Sequence, residues 1–307
     1  MTKVGFRALL VAGVCASTAI SGSSVGVAAS TTPPVVSITM TGAKAKISGA
    51  SHLHPGWTTF TLTATKGQNA IWLYVLRGSK SAGTAAGAVH RIRAEDPASD
   101  GSATDQEQAD DAAAKQRAAD VTSVENAFTA LGGVDARKGH SRTVTVKLPA
   151  GEVEVGDLIS SSPDPIAVLH VKGSASKAKP TKHVSVTVTT DEHSRMTVST
   201  THLPRTGIVQ LNNISTSRYG WHQIGLVRLA KGQATYNVTK FCGDERPDSV
   251  PFVMADSSNS SPISAKRSQQ FSYSLPKGNY VLVDTWIDHS TGYFNCFVGD
   301  TYFMILR

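Results

Sequence analysis

Three observations predict an all-β fold of two tandem β-sandwich domains, with a short helical insert in the first. The chain holds only 17% charged residues and is rich in Thr, Ser, Val and Gly, a balance that suits strands better than helices. Several segments alternate apolar and polar residues with period two, the mark of a half-buried strand. Finally, three landmarks occur twice in the same order. Val36-Ser-Ile-Thr-Met-Thr41 matches Val184-Ser-Val-Thr-Val-Thr189, and Ser51-His-Leu53 matches Thr201-His-Leu203. Residues 141–157 align without gaps on residues 268–284, and each copy reads as strand, Leu-Pro-x-Gly turn, strand.

Residues 1–29 read as a cleavable signal peptide of bacterial style. Lys3 and Arg7 form a basic start, and Ala8 to Ser17 is an apolar stretch well short of the roughly 20 residues a membrane span needs. Val27-Ala28-Ala29 supplies the small side chains a signal peptidase accepts. The mature chain is therefore expected to be secreted, with no transmembrane segment after cleavage. Its formal net charge of +7 includes Lys3 and Arg7, and the rest is scattered. No basic stripe with interleaved aromatics offers a footprint for nucleic acid, which leaves an extracellular ligand or a cell-surface component as the expected partner. Cys15 falls in the signal peptide, so Cys242 and Cys296 are expected to form one disulfide in an oxidising compartment.

The first domain is expected over 32–173, with a polar and helical insert over about 91–131. The front of that insert, to about 120, reads as a solvated excursion. Thr104-Asp-Gln-Glu107 is a capping-box pattern, and Val121, Val124, Phe128 and Leu131 then recur at helical spacing until Gly132-Gly133 stops the run. This predicts a short amphipathic helix. Residues 174–183 have linker composition, and the second domain occupies 184–307. Each Leu-Pro-x-Gly turn is expected to close a hairpin between its flanking strands.

His222-Gln-Ile-Gly-Leu-Val-Arg-Leu229, followed downstream by Leu275-Pro-Lys-Gly-Asn-Tyr-Val-Leu282, resembles a cupredoxin-like domain. The resemblance covers most of the second domain and, more loosely, the first. It implies Greek-key sandwiches and, in the family, a blue-copper site of Cys, two His and usually Met. Here His222 fills the place of the first His, Asp284 stands where the Cys is expected, and His289 follows at a spacing suited to the second imidazole. The axial Met is missing. In the first domain Ala70 or Ile71 takes the His position and Asp157 the Cys position. Without the soft thiolate, neither domain is expected to hold type 1 copper.

The strongest remaining metal candidate is His222, Asp284 and His289, two imidazoles and a carboxylate that suit copper(II) or zinc. His52-Leu-His54 is a weaker one, since the repeat keeps a single His there. Leu203-Pro-Arg-Thr-Gly207 spells a sorting signal but lies far from the C-terminus, so it reads as a turn between strands. No Gly-x-Ser-x-Gly elbow, His-Glu-x-x-His helix or phosphate-cradling loop occurs. Three Asn-x-Ser/Thr sites, such as Asn213-Ile-Ser215, carry little weight in a bacterial chain. Among the aromatics of the second domain, Tyr280, Phe297 and Phe303 are expected in the core, and Trp221 and Trp286 at the surface. The reading is a non-enzymatic extracellular binding or structural protein without cofactor. The alternative is an extracellular copper- or zinc-binding protein that uses the His/Asp/His set.

Overall fold

The structure, a computed structural model, describes residues 31–77, 103–157, 165–235, 237–238, 251–298 and 301–307. The expected signal peptide, the front of the insert up to residue 102, and Cys242 lie outside these residues. The described chain is mostly β. Its first half runs β1 (Val35–Thr41), β2 (Lys44–Ser48), β3 (Gly56–Lys66), β4 (Gln68–Leu76), helix α1 (Ala103–Ala127), β5 (Phe128–Arg137), β6 (His140–Leu148), β7 (Gly151–Asp157) and β8 (Ala167–Val171). Its second half runs β9 (Val186–Thr190), β10 (Met196–Val198), β11 (His202–Leu203), β12 (Thr206–Asn213), β13 (Ile224–Leu229), β14 (Phe252–Asn259), β15 (Arg267–Ser274), β16 (Gly278–Asp284), α2 (Asn295–Val298) and β17 (Tyr302–Leu306).

The two halves repeat the same strand path. In the first, β1 pairs parallel with β3 and antiparallel with β2; in the second, β9 does the same with β12 and β10. The landmark leucines keep their roles as well: Leu53 bridges Val171 in parallel, as Leu203 pairs with Leu306. One eight-stranded sheet, β10-β9-β12-β15-β6-β3-β1-β2, runs through both halves. Two smaller sheets, β5-β4-β7-β8 and β11-β17-β16-β13-β14, account for the other strands among the described residues. The halves join where β6 pairs antiparallel with β15, and Val144 faces Phe271 there. These two residues occupy the same position of the 141–157 and 268–284 repeat, so the seam has local pseudo-two-fold symmetry.

The main apolar core lies between the layers. It takes Ile38, Leu62 and Val146 from the large sheet with Ile71 and Val155 opposite, and it continues into the second half through Leu211, Phe271 and Leu282. Burying a side chain of this size stabilises by about 1.5–3 kcal/mol. Strands β4 and β13 are buried on both faces. Ile71 and Leu73 point into this core, whereas Trp72 and Tyr74 point outward into a second cluster with Val121, Val124 and Trp286. Likewise Leu226 points inward and Val227 outward, into a third cluster with Val238 and Val283.

Three expectations change. The Leu-Pro-x-Gly segments are not hairpins. β6 pairs with β3 and β15, whereas β7 pairs with β4 and β8, so the turn carries the chain from one sheet to the other. The second copy behaves alike between β15 and β16. Buried Leu148 and Leu275 pin these corners, and the Tyr280 hydroxyl donates to the Pro276 carbonyl at 2.9 Å. Second, the helix is long, 25 residues, and ends before Phe128. Phe128, Leu131 and Gly132-Gly133 lie in β5, where the glycines serve close packing rather than a helix stop. A Cβ on Gly133 would fall 2.0 Å from the Ile71 carbonyl oxygen. Third, Phe303 is 42% exposed, while Trp221 and Trp286 are buried. The side chain of Phe297 lies outside what is described. The expected linker packs on the body of the protein: Ser176 N–H donates to the Pro55 carbonyl, and Ala178 is buried.

Candidate functional site

The antiparallel pairing of β13 with β16 sets Ile224 opposite Asp284, so His222, two residues before β13, lies at the same end of the sheet as Asp284. A backbone bridge to Ile263 fixes the His222 main chain: its N–H donates to the Ile263 carbonyl and its carbonyl accepts from the Ile263 N–H. The same register in the first half sets Ile71 opposite Asp157, which puts Asn69, not Ala70 or Ile71, in the place of His222.

The His222 ring is fully engaged. Nδ1 is hydrogen-bonded to Asp284 Oδ2, and Nε2 lies 3.2 Å from Ser215 Oγ. Asp284 Oδ1 accepts from the Gln223 and Trp286 N–H groups, each at 3.1 Å, and Oδ2 accepts from Asn295 Nδ2 at 3.2 Å. Ser215 N–H donates to Asn213 Oδ1 at 3.0 Å, and Asn213 Nδ2 donates to the Gly220 and Ile263 carbonyls. Gly220 lets the loop close on Ser215, because a Cβ there would fall 2.5 Å from the serine Cβ. The solvent exposure of His222 and Asp284 is 1% each, and that of Ser215 is 0%. Buried polar groups persist when their hydrogen bonds are made, and this network meets that condition.

The connectivity hydroxyl–imidazole–carboxylate is that of a nucleophile, its base and an orienting acid. A nucleophile must touch its substrate, and Ser215 is closed to solvent, so in this conformation the arrangement is a structural network. It does not fit type 1 copper either. A carboxylate stands where the soft thiolate is required, and both nitrogens of the one imidazole present are occupied. His289 does not join His222 and Asp284; its ring stacks on Tyr219 at 4.9 Å between centroids. Among the described residues, no group of three His, Cys, Asp or Glu is placed to hold a metal ion. His52 and His54 are both exposed, on either side of buried Leu53. Leu203 to Gly207 forms the passage from β11 into β12.

Helix α1 covers the network from the other half of the molecule. Trp286 stacks on Trp221, whose ring meets Trp72 edge-on at 6.0 Å. Trp286 Nε1 donates to Glu125 Oε1 on α1 at 2.9 Å, and Arg117 Nε on α1 donates to the Gly292 carbonyl at 2.9 Å. Glu125 is buried, and its other oxygen, Oε2, has no hydrogen-bond partner. Burial pushes its carboxyl well above the ordinary glutamate range, against the opposing pull of the Trp286 hydrogen bond. The sequence reading did not find Ser215, Asn213, Asn295 or Glu125. Asn213 and Ser215 stood out only as a glycosylation pattern, and Glu125 was hidden on a helix with many carboxylates.

No family model matches the chain, and no curated protein is similar to it in sequence. Among solved structures it is similar to a reduced auracyanin from Roseiflexus castenholzii, at 17% identity and a TM-score of 0.26 over 39% of this chain and 94% of that one. It is also similar to Lac15 from a marine microbial metagenome, at 11% identity and a TM-score of 0.25 over 82% of this chain and 63% of that one. A third is a blue copper oxidase from Nitrosomonas europaea, at 12% identity and a TM-score of 0.21 over 89% and 84%. At these TM-scores, no activity and no site residue transfers to this chain. No helix among the described residues is long and apolar enough to cross a membrane.

Proposed function

We propose that this chain is a secreted, non-enzymatic binding or structural protein made of two Greek-key, cupredoxin-like sandwiches that do without copper. The observation that carries the reading is the state of His222: both ring nitrogens are committed, to Ser215 and to Asp284, beneath two stacked tryptophans. A metal would have to displace at least one of these bonds and leave a buried polar group unpaired, at a cost of about 1–3 kcal/mol. The test is elemental analysis of the purified mature chain after exposure to copper(II) and zinc, followed by gel filtration. No stoichiometric metal is expected. Stoichiometric copper or zinc that disappears in His222→Ala would overturn the reading in favour of a metal-binding protein.

Secretion also bears on the cysteines. In an oxidising compartment Cys296, buried beside Val238 and Val283, closes on Cys242. A loop of about fifty residues closed in this way stabilises by about 3–4 kcal/mol. Thiol titration of the unfolded, unreduced mature chain should find no free thiol; two would refute the bridge.

A further inference from the structure

The outer face of the second half's small sheet carries a cavity of about 270 Å³. Its origin lies in the strands. Val227 and Val283 point away from the main core, and the β13–β14 ladder jumps from Ser257 opposite Val227 to Val253 opposite Arg228, which opens the sheet at that point. Val238, Phe252, Phe294 and the half-cystine Cys296 add to the apolar wall.

The polar side of the cavity is not uniform. Ser257 Oγ accepts from Arg137 at 3.1 Å, and the Asn259 amide donates to Asp135, so both are held by the first half. The Gln223 side-chain amide also lines the cavity and makes no hydrogen bond among the described residues. Thr285 Oγ1 donates to the Gln223 carbonyl at 3.2 Å and keeps its acceptor lone pairs. Among the described residues no charged side chain lines the cavity, and an unpaired charge there would be costly to bury.

We propose that this cavity binds a small uncharged amphiphile. Its aromatic or aliphatic body packs between Val227, Phe252, Val283 and Phe294, and a single hydroxyl meets the Gln223 amide and the Thr285 hydroxyl. The volume, just under the roughly 300–1,000 Å³ of common ligand pockets, limits the ligand to a small molecule. Gln223 N–H also donates to Asp284, so the ligand would sit directly behind the His222–Asp284 network.

This proposal rests on reading the chain as a binding protein. The probe is N-phenyl-1-naphthylamine, a neutral dye whose fluorescence rises in apolar surroundings, with 1-naphthol and naphthalene as competitors. Saturable dye binding is expected, with 1-naphthol displacing it about three- to tenfold better than naphthalene, the worth of a hydrogen bond. Val227→Phe should fill the cavity and weaken dye binding about tenfold. Gln223→Leu should keep dye binding and erase the preference for naphthol, and it decides the matter if Val227→Phe fails to fold. Absent saturable binding, unchanged affinity in folded Val227→Phe, or equal displacement by the two competitors in the unaltered protein would each overturn the proposal. Those outcomes leave the metal-free reading standing, whereas stoichiometric metal would sink that reading without touching this cavity.

Discussion

Glu125 places a carboxyl group out of contact with bulk solvent, with one oxygen on the Trp286 indole. Burial raises its proton affinity in the folded chain above that of the unfolded chain. The sign of the pH dependence follows. Its stabilising contribution is complete below the ordinary glutamate pKa of about 4.3, and falls as pH rises from there toward the raised folded value. Glu125→Gln keeps an acceptor for the indole and removes the titration. Denaturant unfolding should show the variant more stable than the parent at about pH 8, with the gap shrinking toward about pH 4. Parallel curves for the two proteins would refute this. At this scale the sequence was half legible. His222 and Asp284 could be paired because each stands at a strand terminus whose order the resemblance supplied. Ser215, Asn213 and Asn295 are short polar residues in loops, and no period or spacing marks the partner of such a residue.

Elements were easier to find than to connect. Period-two alternation located β1, β6, β9 and β15, but it says only that a strand has two faces, not which strand lies beside it. That is why the Leu-Pro-x-Gly corners read as hairpins. The end of the insert helix is masked in the sequence: Phe128 and Leu131 continue a helical spacing by coincidence, while their strand is dictated by pairing with β4. How α1 docks gives a prediction of its own. Gly292, with φ near +75°, lies so close to α1 that a Cβ would fall 1.8 Å from the Ala114 carbonyl oxygen. Gly139 has a similar φ, near +78°, and open space around it. Gly139→Ala should therefore cost about 1–2 kcal/mol from backbone strain alone. Gly292→Ala adds the steric clash, so it should cost more, lift α1 from the Trp286 loop, red-shift tryptophan emission and speed amide exchange over residues 112–127. Equal costs for the two variants, with emission unchanged, would show that α1 is not anchored at Gly292.

Across the whole molecule, the repeat was readable in the sequence, but its consequence was not. Two domains with a linker suggest beads on a string, whereas the β6–β15 seam makes one eight-stranded sheet and one core out of both copies. The seam is centred on Val144 and Phe271, a position the repeat fills twice, so each half presents the same strand edge to the other. Edge strands left open invite pairing with other chains, and here each edge is closed by the equivalent edge of its relative. A continuous core implies that the halves unfold together. Phe271→Ala, which leaves a cavity in that core, should cost about 3–5 kcal/mol and move one cooperative calorimetric transition as a whole. Val144→Ala combined with it should depart from additivity by about 0.5 kcal/mol or more, since the two residues face each other across the seam. If the unaltered protein melts in two resolved transitions, or if Phe271→Ala shifts only one of them, the halves are energetically separate and the shared sheet is no more than a contact between them.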